Sequence, residues 1–398
     1  MAAGAIAPEI QEIAGRPRLS FLEGLRGIAA LYVMFHHMSR QLWPGPGFQG
    51  SVAPVGYQRL ITGPLAYGHL AVDLFIVLSG FCLMLPVIRA GGRLRAGTWG
   101  FLRRRARRIL PPYYAALLLS LVLIRLLISS QTGTPWDHCV PVTAAGLLMH
   151  LFMVHDVYTS HFQVWKQIDH PLWSVALEFQ IYLIFPPLIW LWNRVGGIAA
   201  TAVGVFAVGL GSFALHFSPV KILFFDYIAL FCLGVATCAA ATSDIAPWPA
   251  IRRSVPWRGI TLITLVALVL LNIFFNEADR AALLCDPLVG IFSAALLVTL
   301  SISPRSLLRN CVQWKPIVFV GTFSYSLYLI HAPLIQVIWQ YALKPAHLSP
   351  VTVFFALLSI GSAIILGISY GFFILCERPF LIPARSSARA DLPAVPAI

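Results

Sequence analysis

Acid is scarce in this chain. Only 15 of its 398 residues are Asp or Glu, against 28 Lys and Arg. None lies between Asp73 and Asp137. Charge of both signs together makes up 11% of the chain, roughly half the share of a soluble globular domain. That scarcity leaves no stretch suited to a sizeable water-soluble domain. Cysteine is sparse too: there are 7, with no Cys-x-x-Cys and no Cys/His ligand spacing, so no metal site is expected. Cys139 and Cys285 fall on one predicted outer side, and no disulfide between them is expected. The first twenty residues hold Glu9 and Glu12 and lack a basic head before an apolar core, so no cleaved signal peptide is expected. The net charge of +13 is not a nucleic-acid footprint. Most of it lies in short loops beside apolar runs, where Lys and Arg set membrane orientation.

What is abundant is apolar: 59% of residues are hydrophobic and mean hydropathy is +0.81. Apolar runs of about 17 to 25 residues recur from Leu22 to Cys376, the pattern of a polytopic helical membrane protein. The predicted fold is therefore an all-α integral membrane protein of about ten transmembrane helices plus one re-entrant or interfacial segment. A cytoplasmic tail (1–20), a transmembrane domain (21–380) and a second cytoplasmic tail (381–398) are expected. The segment Pro141 to His155 is too short for a span. Treating it as re-entrant places the arginines of the later loops, such as Arg252, Arg253, Arg305 and Arg309, on the inner side with both termini. A third helix is expected to begin at Pro111-Pro112, residues suited to a first turn because its amide donors are unpaired anyway.

One stretch organises the rest. Leu22 to Met38 is apolar, yet it carries Glu23, Arg26, His36 and His37. Ionisable groups at membrane depth are costly and mark cavities, partners or function. In a helix, Arg26 and His37 fall within roughly 20° of one another around the axis and about 16 Å apart along it. His36 is rotated about 80° the other way from Arg26. The same depth count sets Asp73, Glu178 and His331 in one outer layer with His37. The run Arg89, Arg93, Arg95, Arg103, Arg104, Arg105, Arg107 and Arg108 falls on the opposite, cytoplasmic side.

That separation has a chemical use. An imidazole with a carboxylate neighbour is a general base for deprotonating a hydroxyl. Clustered guanidinium groups suit phosphates, which they bind bidentately. A phosphorylated donor held from below, with its reactive end threaded up to a histidine, satisfies both. Coenzyme A has that shape, a phosphate-rich head on a long arm that ends in a thioester. Acyl-CoA is then a donor substrate; no permanently bound cofactor is expected.

The motifs themselves are similar to those of the bacterial acyltransferase-3 family of membrane-bound O-acyltransferases. The resemblance covers about Leu19 to Pro383. Leu22-Glu-Gly-Leu-Arg-Gly-Ile-Ala-Ala-Leu through Phe35-His-His resembles the family's opening motif, with an Arg eleven positions before a His, which selects Arg26 and His37. Val72-Asp-Leu-Phe-Ile-Val-Leu-Ser-Gly-Phe, Arg105-Ala-Arg-Arg108, Leu172-Trp-Ser-Val-Ala-Leu-Glu178, Phe231-Cys-Leu-Gly234, Ser324-Tyr-Ser-Leu-Tyr-Leu-Ile-His331 and Glu377-Arg-Pro379 follow in family order. The usual Asp before Gly-Leu-Arg is Glu23 here. The resemblance implies transfer of an acyl group, most often acetyl, from acyl-CoA to a hydroxyl of a carbohydrate, glycolipid or macrolide-type acceptor in the bacterial inner membrane. It implies catalytic roles for His37, Glu178 and Arg26 and donor binding by Arg105 and Arg108. Glu178 is expected to orient and charge-balance His37. Asp73, Trp173, Ser174, Tyr328 and His331 are further site candidates. Bland alternatives stand beside each: Asp73 heading its helix, Trp173 as an interfacial aromatic, Glu377-Arg378 as a membrane-boundary ion pair. The rival functions are a transporter or flippase for a lipid-linked glycan or small solute, and a noncatalytic sensor that keeps the scaffold.

Overall fold

The computed structural model of the chain describes residues 10–13, 16–44, 54–128, 132–159, 164, 166–216, 220–222, 224–274 and 280–381. Most of both expected cytoplasmic tails, 1–9 and 382–398, lies outside the described residues. The chain is helical apart from two short antiparallel ribbons, β1 (Ile10–Ile13) with β2 (Arg16–Leu19) and β3 (Val157–Thr159) with β4 (Val220–Ile222). The first helices are α1 (Ser20–Leu42), the short α2 (Tyr57–Thr62), α3 (His69–Arg89), α4 (Gly97–Leu126) and α5 (Ala144–Leu151). Next come α6 (Trp173–Val195), α7 (Gly197–His216), α8 (Phe224–Thr242), α9 (Trp248–Ser254), α10 (Trp257–Phe274) and α11 (Arg280–Ile302). The last are α12 (Leu307–Val312), α13 (Lys315–Thr322) and α14 (Ser324–Ile338), then α15 (Pro350–Ala356), α16 (Ser362–Phe372) and α17 (Arg378–Leu381), these three joined by two π-helical turns.

Every segment expected to span is helical, but the count of ten is not reached. Among the described residues five helices are long and apolar enough to cross a membrane, or seven if two bent pairs each form one span. The bent pairs are α9–α10, turned by 64°, and α13–α14, turned by 79°. Helix α1 has the length but not the apolarity, because Glu23, Arg26 and its histidines interrupt it. Within α7 and α8 the apolar stretches whose side chains are described are Gly197–Ala207 and Tyr227–Thr242, and neither enters that count. Helix α5, with 8 residues, is capped at its start by the Thr143 hydroxyl and is about 12 Å long, short of a bilayer core of roughly 30 Å.

The start of the third expected helix is corrected. Helix α4 begins at Gly97, and Pro111 and Pro112 lie inside it. The arginines before them are good helix formers, so the basic run continues the helix instead of forming a loop. That places Arg105 and Arg108 three residues apart on one face.

Lipid tails are as apolar as leucine, so helices in a membrane associate through close packing rather than hydrophobic exclusion. Three glycine contacts supply it. A side-chain carbon on Gly321 of α13 would lie 1.9 Å from the Glu23 carbonyl of α1. On Gly80 of α3 it would lie 2.3 Å from the Phe231 carbonyl of α8, and on Gly234 of α8, 2.1 Å from the Val77 carbonyl of α3. These pairs seat α1 on α13 and α3 on α8 backbone to backbone. A main core of Val77, Phe81, Phe185, Phe231 and Leu297 fills the centre. A second, of Met34, Met38, Phe323 and Leu357, lies behind α1.

Candidate active site

Helix α1 carries the two ends of the site. Toward its start, Glu23 and Arg26 stand one turn apart and form an ion pair at 3.5 Å. Arg26 walls two adjoining cavities. The larger, about 720 Å³, is lined by Arg89, Arg93, Arg95, Arg104, Arg105 and Arg108 besides Arg26, with Glu23 its single acid. Its size suits a small-molecule ligand. Arg105 is held by aromatic rings, its guanidinium carbon 5.7 Å from the centroids of both Phe101 and Tyr182. Its buried Nε has no hydrogen-bond partner among the described residues. Face contacts of this kind fix a guanidinium while leaving its donor edges free for a bidentate acceptor.

The smaller cavity, about 90 Å³, shares Glu23, Arg26, Ser79, Arg108 and Tyr182 with the larger. It continues between α3, α6 and α14 to Val72, Phe75, Ser174, Val175 and Tyr328. The face of α3 that lines it, Val72, Phe75, Ile76 and Ser79, repeats at three and four residues, as one side of a helix must. Glu178 lies on its wall and accepts hydrogen bonds from the Tyr182 and Ser79 hydroxyls. The Ser174 and Tyr328 hydroxyls meet at 2.6 Å, and each also reaches the Pro171 carbonyl. Glu377, buried, accepts from Ser326 at 2.6 Å and faces the same cavity, while Arg378 is exposed. The boundary ion pair expected at Glu377-Arg378 is therefore replaced by a buried carboxylate and a surface arginine.

At the far end of α1, His37 Nδ1 lies 2.6 Å from His331 Nε2 of α14, and the two rings stack with centroids 4.9 Å apart. His170 stands edge-on to His37 at 4.8 Å. His36, its ring centroid 5.1 Å from that of His37, sets its Nδ1 against the Leu65 carbonyl at 2.6 Å and the Gly68 amide at 3.2 Å. The spacing argument that chose His37 over His36 agrees with this division. The partner of His37 is corrected, however. Glu178 belongs to the cavity wall, and an imidazole, His331, occupies the place expected for a carboxylate. Depth along a helix does not give rotation about it, and Glu178 is turned toward α3. Neither cavity has His37 among its walls; Tyr328 bridges the gap, lining the smaller one with its ring 5.8 Å from His331.

Two candidates lie apart. Asp73 is fully buried near the start of α3, away from both cavities. Trp173 packs on Tyr227 with ring centroids 5.7 Å apart. Conversely, His170, Ser79 and Tyr182 were not among the sequence candidates. Each had a weak signal: His170 precedes the Leu172-Trp-Ser stretch by two residues, Ser79 lies within the Val72 motif, and Tyr182 follows Glu178 by one helical turn.

Outside the spans, burial pushes the Asp169 carboxyl up to about 8, against a hydrogen bond from the Ser120 hydroxyl at 2.9 Å. Burial likewise raises Asp156 to about 6, partly offset by a hydrogen bond from Gln180. Among the described residues no group of three His, Cys, Asp or Glu side chains is placed to hold a metal ion.

In this helical, membrane-type chain one helix carries both Arg26 of the arginine-lined chamber and His37 of the imidazole pair. Over residues 19–371 the chain matches the acyltransferase domain family, and it is a member of that family. It is 25% identical over 336 residues to the putative peptidoglycan O-acetyltransferase YrhL of Bacillus subtilis, covering 79% of this chain and 48% of that protein. It is 25% identical to the O-acetyltransferase OatA of Staphylococcus aureus, over 80% of this chain and 51% of OatA. With the acyltransferase MdmB of Streptomyces mycarofaciens it shares 27% identity, over 80% of this chain and 79% of MdmB. The chain thus spans about half the length of the first two relatives. No solved structure matches it.

Proposed function

We propose that this chain is an integral inner-membrane O-acyltransferase that moves an acyl group, acetyl in the reference case, from acyl-CoA to a hydroxyl of a carbohydrate or glycolipid-type acceptor. The observation that carries the reading is the linkage along α1: Arg26 walls both cavities, and His37, eleven residues on, meets His331. Family membership and the O-acetyltransferase names of YrhL and OatA support the same chemistry.

In this reading Arg105 and Arg108 hold the phosphates of coenzyme A, and the larger chamber opens to the cytoplasm, where both termini lie. The uncharged pantetheine arm passes Arg26 into the narrow cavity. The thioester comes to rest beneath the Ser174–Tyr328 bridge, which parts to admit it to His37. His37 takes the proton of the acceptor hydroxyl as its oxygen bonds to the thioester carbonyl carbon. The carbon–sulfur bond then breaks, and the departing thiolate takes that proton from His37. Glu178 acts from the cavity wall, holding Tyr182 and Ser79 and balancing the charge of Arg26.

The test is the full chain in lipid nanodiscs with acetyl-CoA labelled in the acetyl group. Saturable binding is expected, weakened about tenfold or more for each lost guanidinium–phosphate contact in Arg105→Ala and Arg108→Ala. Label should move to a glycan acceptor. Absence of acyl-CoA binding, or transport of a glycan with no release of coenzyme A, overturns the proposal.

A further inference from the structure

We infer that His331 is a positioning residue that fixes His37 in the tautomer with its proton on Nδ1, leaving Nε2 as the basic nitrogen. The inference rests on the proposed role of His37 as base and adds to it the partner and the reacting atom.

The argument runs through hydrogen-bond polarity. His331 Nδ1 lies 2.8 Å from the Tyr328 carbonyl oxygen and 3.1 Å from that of Leu327. A carbonyl oxygen only accepts, so Nδ1 carries the proton. In a neutral imidazole the other nitrogen is then an acceptor. His331 Nε2, 2.6 Å from His37 Nδ1, accepts, and His37 Nδ1–H donates. The lone pair of His37 is left on Nε2. Both backbone carbonyls come from α14's own preceding turn, so the polarity is set by helix geometry rather than by a mobile group.

The one alternative that satisfies both contacts is a doubly protonated His331. Among the described residues no carboxylate makes a hydrogen bond or an ion pair to either ring, and His331 is buried, with 1% of its surface exposed. A buried unpaired cation is expensive, so the neutral form is the stable one. His170, edge-on to His37 at 4.8 Å, adds a second imidazole rather than an anion. When His37 accepts the substrate proton on Nε2, its Nδ1–H still points at a lone pair. The bond to His331 then becomes charge-assisted and strengthens as charge develops. His331 thereby does for His37 what a carboxylate does in a hydroxyl-activating triad, without bringing a negative charge into the membrane.

The experiment uses the full chain in nanodiscs with ¹⁵N-labelled histidine. Ring-nitrogen resonances of His37 are assigned by comparison with His37→Asn, and His331→Leu and His331→Gln are assayed for acetyl transfer. The Gln side chain offers an amide donor to the Tyr328 carbonyl and an oxygen acceptor to His37; Leu offers neither. We expect protonated Nδ1 and bare Nε2 on His37 in the wild type and in His331→Gln, and a mixture of tautomers in His331→Leu. We expect kcat about a hundredfold lower in His331→Leu, within about tenfold of wild type in His331→Gln, and KM for acetyl-CoA unmoved in both. A wild-type His37 bare at Nδ1, or a doubly protonated His331, overturns the inference. So does equal activity in the Leu and Gln variants. Full transfer by His37→Ala instead removes the base from the proposed function, while the spectrum still reports the tautomer.

Discussion

At the His37 end of α1 the polar contacts are short and internal. His37 lies 2.6 Å from His331, which is itself anchored on backbone carbonyls at 2.8 and 3.1 Å. At the Arg26 end the contacts of two key guanidinium groups are looser. Arg26 reaches Glu23 at 3.5 Å, and Arg105 rests on two aromatic faces with its Nε unpartnered. In the proposed function the two regions differ in what they are for. A group that must present one lone pair needs its other nitrogen already committed. Groups that must receive phosphates need their donors free, and aromatic faces hold a guanidinium without consuming those donors. In the proposed function, the committed Nδ1 of His37 orients, and the unpartnered Arg105 Nε is left to bind.

The largest effect that tests this contrast is loss of the imidazole. His37→Ala should lower kcat by about a hundredfold to ten-thousandfold, the range of general-base catalysis. His36→Ala, which loses the contacts to the Leu65 carbonyl and the Gly68 amide, should stay within about threefold of wild type. Equal losses in label transfer would erase the distinction between the neighbours. Next comes the arginine end. Arg105→Ala should raise KM for acetyl-CoA by about ten- to a hundredfold with little change in kcat. Arg105→Lys should fall between, because an ammonium keeps the charge but not the planar stack on Phe101 and Tyr182. A drop confined to kcat would place Arg105 with the chemistry instead.

A smaller effect separates the scaffold from both ends. Gly321→Val would force α13 off the Glu23 carbonyl at a cost of about 1–3 kcal/mol. It should lower the thermal unfolding midpoint measured in detergent and raise donor KM more than it lowers kcat, since the clash lies beside Arg26. The smallest effect is electrostatic. Asp169 is carried at about 8 in the folded chain, above its unfolded value. The folded state therefore holds the proton more tightly, and stability falls as pH rises from about 4 to about 8. Asp169→Asn should flatten that slope in a denaturation series across pH, with a gain at the alkaline end. An unchanged slope would assign the pH dependence to other groups.

Much of the site was legible before any coordinates, and the misses have definite causes. The spacing of Arg26 and His37 put a cation and an imidazole on one side of α1, and the structure makes both of them part of the candidate site. The arginines of α4 read correctly as a basic cluster but not as helix, because Pro111-Pro112 suggested a start where the helix only continues. Glu178 was assigned to His37 on depth and on the motif resemblance, neither of which fixes rotation; on α6 it turns to Ser79 and Tyr182. His331 was a candidate without a role, since its pairing depends on the 79° bend between α13 and α14. The ten expected spans outnumber the five to seven long apolar helices because two spans are bent pairs, charges interrupt α1, and α7 and α8 are described over only part of their apolar length.

Composition and motif spacing by themselves determined that the chain is helical and membrane-type, that it has a basic end and a histidine end, and which arginine and which histidine share a face. Those are properties of single helices, fixed by hydropathy and by 3.6 residues per turn. Only the tertiary structure decided that His331 rather than Glu178 meets His37, that Arg105 lies between two aromatic rings, and that Ser174 and Tyr328 separate the cavity from the imidazoles. Each of those depends on how helices distant in sequence rotate against one another, and that rotation is set by close backbone packing such as Gly321 on Glu23 and Gly234 on Val77.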